Sequence, residues 1–123
     1  MKYMLLIYND EQEWARRGEA EQQRIMKEAA QLLERIAPMG KRLANAPLHP
    51  TSTATSVRVR DGKQLVTDGP FAETHEQLAG FILIDADNLD EAISIAGQLA
   101  AAQWGTIEIR PVIDLTENFG SEQ

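Results

Sequence analysis

With 123 residues, a formal net charge of −7 and no cysteine, the chain has room for one domain with one core. Thiolate catalysis, cysteine-ligated zinc and iron–sulfur clusters are excluded, and nothing calls for an oxidising compartment. Nineteen acidic against twelve basic residues give a pI near 4.8, a surface that repels phosphate backbones and speaks against direct nucleic-acid binding.

Met1-Lys2-Tyr3-Met4-Leu5-Leu6-Ile7-Tyr8 places one Lys before a short apolar run, with polar residues following at once. A signal peptide needs a longer run and a membrane span needs ~20 apolar residues. The segment therefore reads as a first strand over 2–8, buried on both faces, in a cytoplasmic protein without a membrane partner.

A helical stretch follows from about Glu11 to Ala37. Ile25, Ala29, Leu32, Leu33 and Ile36 share one face, and Pro38 and Gly40 stop it. Gly18 lies inside the stretch, which allows the part around Trp14 to form a separate turn. Pro47 and Pro50 exclude a regular central strand, so Arg42–Leu48 reads as an irregular edge strand. Alternating residues over 55–60 and 63–67 flank Asp61-Gly62, the pair a two-residue type I′ hairpin demands.

Phe81-Ile82-Leu83-Ile84 is a short apolar strand. Asn88-Leu89-Asp90-Glu91 opens a second helix with Asn88 as N-cap and Glu91 as its reciprocal partner. Leu89, Ala92, Ile93, Ala96, Leu99 and Ala100 mark its expected buried stripe. Gly105 precedes a last alternating strand, Thr106–Arg110, and Pro111 ends the sheet.

The order predicts an α+β domain over residues 1–115, followed by a polar tail at 116–123. It fits a ferredoxin-like βαββαβ plan with an inserted β-hairpin and helices on one sheet face. The uncovered face, apolar along two strands, predicts a homodimer.

The least ordinary stretch is Asp68-Gly69-Pro70-Phe71-Ala72-Glu73. Gly69 before Pro70 is held to extended or glycine-only conformations. Asp68 is read as making an Asx-turn to the backbone two residues on, and Pro70 as the first turn of a short helix favoured by Glu73, Glu76 and Gln77.

Together with Met1–Tyr8 and Thr55–Gly62, this string resembles the DGPF-domain branch of the YCII-related family, over about residues 1–112. The resemblance implies a ferredoxin-like fold, a dimeric α/β-barrel-like assembly and a bacterial intracellular protein. Many relatives lie beside genes for extracytoplasmic-function sigma factors, so a sigma factor is an implied partner. A related branch carries a His–Asp active pair, and no residue here is matched to its His. Two departures stand out: His75 replaces the usual Lys, and Ala79-Gly80 replaces the usual Gly-Gly.

The residues themselves leave three function classes open. A small-molecule binding or sensing domain would use Asp68, Gly69, Pro70 and Phe71 with Tyr8 and Arg58 around a pocket beside the loop. A lyase or isomerase would pair Asp68 with His49 or His75 as acid and base. An accessory protein of a sigma factor would need no ligand. Residues two apart on a helix do not face each other, so Glu73 and His75 read better as surface groups. Arg58, Arg60 and Arg110 read as solvated strand faces, and Trp14 and Trp104 as packing or interface residues. No phosphate loop, nucleophile elbow, metal-ligand spacing or cofactor motif is present in the sequence.

Overall fold

The structure, a computed structural model, describes residues 1–115; the polar tail read at 116–123 lies outside them. It is a mixed α+β fold with antiparallel sheets. Strands β1 (Lys2–Asn9), β2 (Arg42–Pro47), β5 (Gln77–Asp85) and β6 (Thr106–Pro111) form a four-stranded sheet in the order β2-β5-β1-β6. Among the described residues, strands β3 (Thr55–Arg60) and β4 (Lys63–Asp68) pair only with each other. Helices α1 (Glu11–Arg16) and α2 (Glu19–Ile36) follow β1, and α3 (Leu89–Gly97) and α4 (Ala101–Trp104) precede β6.

Strand alternation divides β1 between two environments. Tyr3 and Leu5 are buried beneath the helices beside Ile84 and Ile82 of β5. Leu32 and Ile36 of α2, and Ala92, Ile95 and Ala96 of α3, close this core from above. Leu5 and Ile84 are fully buried, and burying such a side chain stabilises by about 1.5–3 kcal/mol. Met4, Leu6 and Leu83 project from the opposite face and stay half-buried.

The first helical stretch is two helices, broken at Gly18. Asp10 caps α1 by accepting from the N–H groups of Gln12 (2.8 Å) and Glu13 (3.4 Å). β2 is an edge strand whose register slips between Arg42 and Ala44. The hairpin turns at Asp61 (φ 53°) and Gly62 (φ 74°), both left-handed as a type I′ turn requires. Val57, Val59 and Val66 share one hairpin face and are each more than half exposed.

Three local readings are corrected. Residues 70–76 form bends rather than a helix, because β5 begins at Gln77 and leaves the segment no room for a hydrogen-bonded turn. The second helix ends at Gly97, and its buried row is Ala92, Ile95 and Ala96, with Leu99 buried in the turn that follows. Leu89 and Ile93 are exposed at 49% and 51%, since the segment carries two overlapping helical stripes and the sheet meets the Ile95 one. Glu91 Oε1 accepts from the Asp87 N–H (2.9 Å), one residue ahead of the expected partner, while Asn88 caps Glu91 N–H as read (2.9 Å).

Lys41, the residue before β2, joins the two halves of the fold. Its ammonium lies 2.8 Å from Glu91 and 3.1 Å from Asp87. Hydrogen bonds to Glu91 and then to Asp87 raise the Lys41 pKa, and Lys41 in turn lowers that of Glu91.

Candidate functional site

Tyr3, Leu5 and Ile7 put a fourth residue, Asn9, on the helix-facing row of β1. That row leaves the apolar core at Asn9, where β1 hands over to α1. A β-bulge lies opposite: Ile7 pairs with Gly80 but Tyr8 pairs with Leu78, so Ala79 is the extra residue. Bulges bend a strand and re-aim its groups; here the Ala79 carbonyl accepts from the Leu48 N–H at the end of β2 (2.8 Å).

Between these ends lies a cavity of about 240 Å³. Ile7, Asn9, Glu11, Trp14, Ile25, Ala29, Leu48, His49, Leu99, Ala100 and Trp104 are among its lining residues. Most of the wall is apolar, and the polar groups are few and local, the usual composition of a small-ligand site.

Asn9 is only 7% exposed, and its side chain has no hydrogen-bond partner among the described residues. Its polar atoms are not among those shut off from solvent, so they open onto the cavity whose wall Asn9 helps to form.

Glu11 is committed. Its Oε1 accepts from Thr51 N–H (2.8 Å) and its Oε2 from Thr51 Oγ1 (2.9 Å). The Glu11 N–H donates to Gln77 Oε1 (2.9 Å). These bonds hold the β2–β3 connection, and with it His49, against the start of α1. Trp14 and Trp104 stack with centroids 5.9 Å apart, and the Arg17 guanidinium lies 4.2 Å from the Trp104 centroid. The Arg17 Nε is buried with no acceptor.

The model of the YCII-related domain matches residues 1–116. The chain belongs to the YCII-related family. An uncharacterized protein of Rhizobium meliloti (strain 1021) is 40% identical over 114 residues, spanning 91% of this chain and 92% of its own. No helix among the described residues of this YCII-related chain is long and apolar enough to cross a membrane.

Of the candidate catalytic and ligand-binding residues named from the sequence, the YCII-related fold brings only His49 to the cavity. Asp68, Gly69, Pro70 and Phe71 lie on the loop after the hairpin and line none of it; Phe71 is 78% exposed. Tyr8 points to the other sheet face, Arg58 lies exposed on β3, and His75 is exposed just before β5. No hydrogen bond or ion pair joins Asp68 to His49 or His75 among the described residues, and no three of their His, Asp and Glu side chains cluster as metal ligands.

The Asx-turn reading of Asp68 is corrected. Two residues on stands Pro70, which has no N–H to donate. The loop is held instead by Gly69 N–H to Ala54 O (2.7 Å) and Ser56 Oγ to Gly69 O (2.8 Å), with Gly69 at φ 95°. Asn9 and Glu11 escaped the sequence reading. The signal was present in Asn9, a polar residue ending an otherwise apolar core-facing row.

Proposed function

We propose that this protein is a small-molecule binding domain whose ligand occupies the cavity between the ends of β1 and β2 and helices α1, α2 and α4. The observation that carries this reading is Asn9: a buried amide on an apolar wall with no partner of its own. A ligand supplying that partner replaces cavity solvent at the amide with a hydrogen bond worth about 0.5–1.5 kcal/mol net. The pocket beside the Asp68–Phe71 loop is replaced in this proposal by the His49 pocket, because Asp68, Gly69, Pro70 and Phe71 line no part of that cavity.

Thermal denaturation against a metabolite collection tests it. A ligand present at 100 times its Kd adds about 2.7 kcal/mol. Ala100→Leu, which narrows the cavity, should abolish that gain while leaving the free protein folded. A ligand that stabilises both proteins equally would place binding elsewhere.

The strand order β2-β5-β1-β6 supports reading the sheet as ferredoxin-like, with β3–β4 as the inserted hairpin. We also propose a homodimer of α/β-barrel type, supported by the half-buried Met4, Leu6 and Leu83 face and by the exposed valines of the hairpin. An isolated two-stranded hairpin is marginal in water, so a second copy against its apolar face would stabilise it. Light scattering at micromolar concentration should return twice the chain mass; a monomer at every concentration refutes the assembly. We further propose, on the resemblance of the Asp68–Glu73 string alone, membership of the DGPF branch, a bacterial cytoplasmic location and a sigma factor as the receiver of the ligand signal.

A further inference from the structure

We propose that the cavity selects a small neutral ring compound bearing a carboxamide or lactam edge. The inference rests on the ligand-binding reading above and adds the chemistry of the occupant.

Size comes first. About 240 Å³ is below the roughly 300–1,000 Å³ of sites for drug-sized ligands, so the occupant is about one ring with a short substituent. Charge comes next. An anion would meet the Glu11 carboxylate on the wall of a chain carrying net −7. Glu11 keeps its charge, but both of its oxygens already accept from Thr51, so a cationic occupant would have to compete with Thr51 for them. The Trp104 indole on the same wall is already engaged by Trp14 and by the Arg17 guanidinium.

Of the unpaired groups on the wall, His49 is exposed, whereas Asn9 is only 7% exposed and neutral. The Asn9 side chain offers an N–H donor and a carbonyl acceptor side by side. A carboxamide or lactam presents the matching acceptor and donor, and two bonds form at once. Ile7, Ile25 and Leu99 take the ring.

The test uses benzamide, toluene and benzoate as probes, titrated into the full chain and followed by the indole N–H resonances of Trp14 and Trp104. Benzamide should bind about tenfold or more tighter than toluene, the worth of a pair of net hydrogen bonds, and benzoate should bind weakest. In Asn9→Leu, similar in size, toluene should still bind and the benzamide preference should collapse to about one. Toluene binding as tightly as benzamide in the parent overturns the inference, as does a preference that survives Asn9→Leu; either leaves the binding reading standing. If no probe shifts either indole, the binding reading falls and this inference with it. Should Asn9→Leu fail to fold, the parent's ratio still decides, together with Ala100→Leu, which must weaken benzamide and toluene alike.

Discussion

A Cβ added at Gly105 would overlap the Tyr8 carbonyl oxygen and stand 3.2 Å from Ala101 O and 3.4 Å from Asn9 Cα. All three obstacles are backbone. Tyr8 is held in register against Thr106, and Ala101 O accepts from the Gly105 N–H at 2.7 Å, so relief requires the β1–β6 ladder or α4 to shift. Overpacking of this kind costs about 1–3 kcal/mol, and rigid backbone on every side puts Gly105→Ala at the upper end. Gly97 is the control. It is helical and exposed, and an added Cβ meets nothing within 4 Å, so Gly97→Ala should stabilise by about 0.5–1 kcal/mol. The two single-methyl substitutions should therefore differ by about 3–4 kcal/mol, a large share of the ~5–15 kcal/mol that holds a domain together. At roughly 4 °C per kcal/mol, their melting temperatures should lie about 12–16 °C apart. Urea melts with matched slopes give the same comparison at 25 °C. Equal midpoints would mean that β6 does not approach β1 as closely as described, and the cavity wall beside Asn9 would lose its support.

Gly69→Ala should cost about 1–2 kcal/mol through its φ of 95° alone, because no atom crowds the site; an unchanged urea midpoint would deny the left-handed backbone there. Asp68→Asn and Asp68→Ala should each change stability by less than about 0.5 kcal/mol, since the side chain is exposed and makes no hydrogen bond; a large loss in the Ala variant alone would restore a structural bond to the carboxylate. Glu91 has its pKa lowered in the fold by Lys41. Its contribution is therefore present at neutral pH and lost as pH falls through the carboxylate range. Lys41 has its pKa raised, so its contribution persists upward and is lost only above the ordinary lysine range. Melts from pH 7 to 3 should show a steeper decline in the parent than in Glu91→Gln, and parallel curves would count against the pairing.

Elements governed by local chemistry were legible in the sequence. The Asp61-Gly62 turn, the Asn88 cap and the sheet-facing row of α2 each follow from a few adjacent residues. β5 was read at less than half its length, because Gln77-Leu78-Ala79-Gly80 shows no alternation; a bulge at Ala79 breaks the pattern there. The cavity was invisible for a different reason. Asn9, Leu48 and Trp104 come from three distant parts of the chain, and only the sheet order brings them to one wall. The Asp68 string drew attention by its rarity, yet its residues serve a turn at the surface.

The interleaving of strands also orders events in time. β1 pairs with β5 and β6 but with no strand close to it in sequence. The β3–β4 hairpin, closed by a two-residue turn, can zip within about 1–10 μs. The central sheet must instead close loops spanning most of the chain before any of its ladders is rewarded. Folding should therefore be slow for a chain of this size, in the range of topologies dominated by distant pairings. During that interval the Met4-Leu5-Leu6-Ile7 run stays unpaired, so dilute refolding conditions should favour recovery over aggregation.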